Sequence, residues 1–116
     1  MQIVQVSLPY PPSANRYWRM WRGHMTVSAE AKAYKLAVAL KFKALGVKPQ
    51  TAECMVSATV YRPQKRGDLD NTAKCLLDAC NGSLWVDDSQ ITGLMLLRQD
   101  DKHNPRVELA CAFLSQ

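Results

Sequence analysis

The sequence predicts an α/β (α+β) fold: a single domain with one mixed β-sheet packed by two main helices. Three observations carry this expectation. The chain has 116 residues, the size of one domain able to bury an ordinary hydrophobic core. Its apolar spacing switches between period two and the helical period along the chain. Its glycines and prolines fall at the junctions between those stretches.

Gln2 to Leu8 sets Ile3, Val4, Val6 and Leu8 among polar residues and reads as a first strand. Pro9, Pro11 and Pro12 stop it, because proline cannot donate to a ladder. The short aromatic and basic segment that follows holds Asn15, Arg16, Tyr17, Trp18, Arg19, Trp21 and Arg22, with Arg22-Gly23 as the expected turn of a small hairpin. Ser28 is then a helix N-cap, and no Gly or Pro interrupts Ala29 to Leu45. At about 100° per residue, Ala29, Ala33, Leu36, Ala37, Leu40 and Ala44 share one face, expected to pack on the sheet. Lys32, Lys35 and Lys43 share another. Gly46 supplies the stop, with Pro49 beyond it.

Thr51 to Tyr61 is the second strand, rich in β-formers and ended by Pro63. A basic loop, Gln64-Lys65-Arg66-Gly67, leads directly into Asp68-Leu69-Asp70-Asn71. Asp70 is expected to N-cap a second helix running to about Cys80, closed by Asn81-Gly82. Its apolar arc is Ala73, Leu76, Leu77 and Cys80; its polar arc is Asp70, Asn71, Lys74 and Asp78. Ile91 to Arg98 and Arg106 to Leu114 read as two last strands, joined by the polar turn 100–105 into an antiparallel hairpin. The expected order is strand, hairpin, helix, strand, helix, strand, strand, in one domain over residues 1–116.

Composition narrows the function. Apolar residues make up 47% and charged residues 22%, as in ordinary globular chains. The net charge of +5 is unevenly placed. Residues 1–67 carry 11 Lys/Arg against Glu30 and Glu53, whereas residues 68–116 carry four against eight acids. A basic body holding a knot of aspartates points to a polyanion and a metal. No apolar run approaches the roughly 18–20 residues of a membrane span, and Met1 to Leu8 has no signal-peptide pattern, so a cytoplasmic location is expected. Cys54, Cys75, Cys80 and Cys111 form no CxxC, and His24 and His103 lie far from them, which argues against structural zinc. Buried thiols are expected instead.

Asp68 and Asp70 are separated by one residue; in an extended chain their side chains would point the same way, roughly 6–7 Å apart at the backbone. Carboxylates that close repel, and Mg²⁺ relieves this with one or two carboxylates plus waters and phosphate oxygens. Lys74, one turn from Asp70, can contact the same phosphate or hold the attacking water. Of Asp87 and Asp88, adjacent and so facing opposite ways, at most one joins Asp68 and Asp70. Three carboxylates, a lysine and a basic surface suit phosphodiester hydrolysis, in which metal activates water and charge on the leaving oxygen is stabilised. Arginines interleaved with rings between Asn15 and Arg22 suit phosphates and exposed bases.

Together, Pro11-Pro12-Ser13-Ala14-Asn15-Arg16-Tyr17, Val27-Ser28-Ala29-Glu30, Asp68-Leu69-Asp70-Asn71 with Lys74, Leu77-Asp78-Ala79, Asn81-Gly82 and Trp85-Val86-Asp87-Asp88-Ser89-Gln90 resemble the RusA family of Holliday junction resolvases, found in bacteria and especially prophages. The resemblance spans most of the chain and keeps the family order. It implies a homodimeric endodeoxyribonuclease of DNA recombination and repair, dependent on Mg²⁺ or on Mn²⁺ in its place. Such an enzyme makes paired, symmetric nicks at four-way junction DNA. It implies Asp68, Asp70 and Asp88 as metal-binding catalytic acids, Asp87 as a fourth candidate, and Lys74 as the essential lysine. Asn15, Arg16, Arg19, Lys65 and Arg66 are the expected DNA contacts beside Lys74. No membrane and no small organic cofactor is expected. Gly67 departs from relatives with a basic residue before the first aspartate. Two other readings stay open: a non-catalytic DNA-binding module, and a general Mg²⁺-dependent nuclease acting on flaps or duplex. Asp68 and Asp70 beside Lys74 are needed by a nuclease and not by a binding module.

Overall fold

The computed structural model describes residues 1–12, 18–21, 23–65 and 67–114, with the backbone alone for 18–21 and 24–27. Strand β1 (Gln2–Pro9) buries Val4, Val6 and Leu8 and turns Gln5 and Ser7 outward. A two-stranded hairpin follows, β2 (Trp18–Trp21) against β3 (His24–Val27). Helix α1 (Ala29–Ala44) starts at Ser28, whose Oγ accepts from the Ala31 N–H at 3.2 Å. It ends at Gly46, with φ +74°. There the Val47 N–H reaches the Phe42 carbonyl and the Gly46 N–H the Lys43 carbonyl, a Schellman closure that a residue without Cβ adopts without strain.

Strand β4 (Cys54–Arg62), helix α2 (Leu69–Cys80), a single 3₁₀ turn (Asp88–Gln90), β5 (Ile91–Asp100) and β6 (Arg106–Phe113) complete the order. Four strands form one mixed sheet, β1-β6-β4-β5. β6 is antiparallel to both β1 and β4, and β4 is parallel to β5. This is the expected α+β arrangement, one mixed sheet and two helices around a single core.

Three expectations about its details are corrected. β5 and β6 do not form a hairpin: they flank β4 on opposite sides. A parallel partner needs a crossover, which α2 provides between β4 and β5. The 101–105 connection then passes the end of β4, where the Asp101 N–H donates to the Arg62 carbonyl at 2.9 Å. Helix α1 buries Ala31, Tyr34, Val38 and Phe42 and leaves Leu36 and Leu40 exposed, so the alanine-leucine face points away from the sheet. The chosen face is bulkier: Tyr34, Val38 and Phe42 remove more apolar surface from water than alanines do. Tyr34 also donates from Oη to the Pro9 carbonyl at 2.8 Å, fastening α1 to the end of β1. Finally, α2 begins two residues earlier than expected, with Asp68 and not Asp70 at the N-cap position.

The core lies between the sheet and the helices. Trp85, Phe42, Leu8, Leu76 and Leu84 are its largest fully buried side chains. All four cysteines are buried and free, and burial raises the pKa of each thiol, so they pack as small apolar groups.

Candidate active site

The backbone leaves β4 through an exposed loop holding Lys65 and turns at Gly67, where φ is +83°. Asp68 follows in extended conformation (φ −98°, ψ 143°) at the head of α2. Its carbonyl accepts from the Thr72 N–H at 3.3 Å, which starts the helix. Its carboxylate makes no capping hydrogen bond. Asp70 lies in the first turn, exposed. Both acids therefore sit at the positive end of the helix dipole, where negative charge is favoured. Asp68 is extended but Asp70 is already helical, so the pair does not share one extended segment as expected.

Asp70, Lys74 and Asp78 follow at successive turns, on the flank opposite Ala73, Leu76 and Cys80. Lys74 is exposed and, among the described residues, forms no ion pair with either neighbour. Asp78 is half-buried, and its carboxyl is held above the ordinary range by burial and secondarily by the charge of Asp88. The last turn of α2 thus comes near the second acidic segment.

That segment is held by a chain of specific contacts. Trp85 is fully buried and donates from Nε1 to Asn81 Oδ1 at 2.7 Å. Asp87 caps the 3₁₀ turn: its Oδ2 accepts from the Ser89 N–H at 3.1 Å, while Gln90 Oε1 accepts from the Asp87 N–H at 2.9 Å. These bonds hold the Asp87 carboxyl below the usual range. Gln90 Nε2 donates to the carbonyls of Gln50 and Ala52 at 2.8 and 2.9 Å, tying the turn to the approach to β4. Asp87 is engaged in the cap, and Asp88 is left exposed with no such bond. An open groove of about 310 Å³ runs beside it, lined by Leu77, Asp88 and residues 91–94.

The remaining acids of the C-terminal half are engaged elsewhere. Asp100 pairs with Arg62; Asp101 and Glu108 pair with Arg106, which also lies over the Tyr61 ring. Asp68, Asp70 and Asp88 have no cationic partner among the described residues. Their donors are all carboxylate oxygens, the chemistry of a hard cation such as Mg²⁺. Among the described residues, no three acidic, histidine or cysteine side chains stand close enough to hold a metal ion as they are placed.

Of the expected DNA contacts, Lys65 is exposed and near enough to Asp100 to lower its pKa. Arg19 lies on β2 opposite Thr26, with its side chain outside the described residues. Asn15, Arg16 and Arg66 lie outside the described residues. Two residues gain a place that their sequence positions did not assign. Asp78 lies near enough to Asp88 to feel its charge, and its position on the polar arc of α2 did not signal that partner. Arg98 donates from Nη1 to the Gly67 carbonyl at 3.1 Å, and nothing in the local sequence signals that bond.

Comparison with known proteins places the chain in a family. The family model described as endodeoxyribonuclease RusA matches residues 9–111. A protein of Escherichia coli strain K12 named crossover junction endodeoxyribonuclease RusA is 35% identical over 118 residues, covering 94% of this chain and 93% of its own. The protein of that name from Enterobacteria phage 82 is 34% identical over 112 residues, with the same coverage. The one from Shigella sonnei strain Ss046 is 33% identical over 118 residues, again with that coverage. These matches define the class as an endodeoxyribonuclease. The chain belongs to the RusA family.

Proposed function

We propose that residues 1–116 act as one endonuclease domain that resolves four-way DNA junctions by paired, symmetric nicks, as a homodimer, in the cytoplasm. The observation that carries the reading is the carboxylate of Asp68: it stands at a helix N-cap position without capping, beside Asp70, which lies one turn from the exposed Lys74. The names of the relatives supply the substrate. Asp68, Asp70 and Asp88 would hold Mg²⁺, or Mn²⁺ in its place, with Asp87 as a fourth candidate already bonded within its turn. When bound, the metal supplies Lewis-acid activation of water and charge neutralisation at the scissile phosphate.

The chain's own groups do the rest. Gly67 and the head of α2 orient Asp68 and Asp70 toward solvent, where a phosphodiester can approach. Lys74 offers an ammonium to a non-bridging phosphate oxygen or to the attacking water, and favours charge developing in the transition state. Asp87 and Gln90 keep Asp88 in place through the capped turn. Lys65, Arg66, Asn15, Arg16 and Arg19 contribute phosphate contacts, which fix register without reading sequence. The test is a cleavage assay on a synthetic four-way junction, a flap and linear duplex, with Mg²⁺ present or chelated. Paired nicks in the junction alone, abolished by chelation, are expected. Equal cutting of flap or duplex would replace junction resolution with general nuclease activity. Binding without cutting would leave a DNA-binding module.

A further inference from the structure

We propose that Arg98 is a further DNA contact of the cleavage site: docked on the Gly67 carbonyl, its guanidinium grips a backbone phosphate beside the one that is cut, with Lys65 as the second cation. This contact rests on the nuclease reading above for its DNA, though not for its test.

The sheet sets the placement. β5 runs parallel to β4, with Leu94 aligned to Val56, Leu96 to Ala58, Arg98 to Val60 and Asp100 to Arg62. Val56, Ala58 and Val60 are buried, so this row lies on the side of the sheet that carries the helices. Leu96 packs against the core there. Two residues on, the same row turns from apolar to charged. Arg98 and Asp100 are both exposed, at the end of the strand nearest the turn that opens α2.

The charge around that turn is unbalanced. Asp100 is already taken, because it pairs with Nε of Arg62. Arg98 and Lys65 make no ion pair among the described residues. Both lie near enough to Asp100 to lower its carboxyl pKa, so with Arg62 three cations share one acid. Such a surplus attracts an anion, and a guanidinium meets a phosphate with paired donors where an ammonium supplies a point charge.

The guanidinium is also held ready. One of its N–H groups, on Nη1, donates to the Gly67 carbonyl at 3.1 Å. That bond fixes the planar group before any ligand arrives, which lowers the cost of ordering it, and leaves its remaining donors for a second acceptor. The space beside it is open: a Cβ added at Gly67 would meet nothing within 4 Å. Gly67 directly precedes Asp68, at the head of the acidic site. Phosphates held at Arg98 and at Asp68 therefore belong to one short stretch of one strand.

The experiment measures binding to a synthetic four-way junction by fluorescence anisotropy, without divalent metal, across a salt series. Arg98→Ala and Lys65→Ala are each expected to bind about tenfold more weakly at physiological salt. Each should lower the slope of log affinity against log salt by about 0.9, the loss of one phosphate contact. Circular dichroism should not change. Arg98→Lys should keep the slope, because it keeps the charge. A strut that only holds Gly67 would leave the slope unmoved. Junctions carrying one neutral methylphosphonate linkage, placed in turn about the crossover, locate the contact. One linkage is expected to weaken wild type about tenfold and to cost Arg98→Ala nothing further, the coupling of groups in contact. That linkage should adjoin the nick made once Mg²⁺ is added.

An unchanged slope in Arg98→Ala, additive losses at every linkage, or a coupled linkage remote from the nick would each overturn the proposal. Reading binding without metal keeps it apart from cutting. A wild type that shows the coupling yet cuts no junction refutes the nuclease and upholds the contact. A wild type that cuts while Arg98→Ala keeps the full slope refutes the contact and upholds the nuclease. A wild type that does not bind the junction overturns both.

Discussion

Arg98 Nη1 donates to the Gly67 carbonyl across 3.1 Å, so the far half of β5 holds the turn that delivers Asp68. Asp88 opens the 3₁₀ turn that leads into the same strand. One strand therefore sets both acidic segments. Replacing Arg98 with Ala is expected to reduce the cleavage rate at saturating enzyme about tenfold, in line with the cost of small misplacements in a reacting site. The melting temperature should hold, because the bond is exposed. Single-turnover kinetics with a thermal melt check it; an unchanged rate would show that Gly67 and Asp68 hold their place unaided.

Asp70→Asn and Lys74→Ala should each lower cleavage by ~10²-fold or more while leaving junction binding in place, since charge placed for the transition state is the largest catalytic contribution. Both side chains are exposed, so folding should be untouched. Gel-shift and nicking assays on one preparation separate the two properties. Wild-type cutting by Lys74→Ala would return that lysine to the solvated surface.

Asp87 and Asp88 are neighbours with different duties. Asp88→Asn is expected to abolish cutting. Asp87→Asn should cost only about tenfold, because an amide oxygen can still accept the Ser89 N–H and keep the turn capped. Equal losses in the two variants would place Asp87 at the metal as well.

Trp85 anchors the turn from below. Trp85→Ala should destabilise the chain by about 3–5 kcal/mol, the range for deleting a buried aromatic. Trp85→Phe should cost less while releasing Asn81, its 2.7 Å partner. Urea unfolding gives the difference, and a Trp85→Ala variant as stable as wild type would mean that the neighbouring core closes over the gap.

Acid should unfold the protein, and Asp78 should work against that trend. Asp87, Asp100 and Asp101 have depressed carboxyl pKa values, from their hydrogen bonds and arginine partners. Such groups add stability above the unfolded value of 3.8, which is lost as pH falls through the folded one. Asp78 is raised, first by burial and then by Asp88, so its contribution is present below 3.8 and lost as pH rises through its folded value. Asp78→Asn is therefore expected to raise the melting temperature at neutral pH and to leave it little changed in strong acid. A melt series over roughly pH 2 to 8 reads both trends.

Much of this was legible in residues with a local cause. Ser28 and Gly46 bounded α1 because caps are local chemistry. The acids of Asp68-Leu69-Asp70-Asn71 and Asp87-Asp88 stood out, as did Lys74 one turn from Asp70. The rest depended on distant partners. Helix α1 is apolar around much of its circumference, so spacing alone did not choose Tyr34, Val38 and Phe42 over Leu36 and Leu40; the sheet did. The 101–105 turn has the residues of a hairpin, yet β4 takes the place between its two arms, where Cys54, Val56, Ala58 and Val60 are buried. Asp68 and Asp70 are both good capping residues, and the extended backbone after Gly67 decided between them. Arg98 escaped notice because it meets a backbone carbonyl 31 residues away.

The central position of β6 also governs when this molecule becomes dangerous to DNA. β6 is the last strand among the described residues, yet it lies between β1 and β4 and pairs Gln2 with Phe113. Until it leaves the ribosome, β1 has nothing to join and β4 lacks one neighbour. Such long-range pairing forms late and slowly. The sheet therefore closes only once β6 is in place, and a chain lacking this strand carries its acids on a sheet that has not closed.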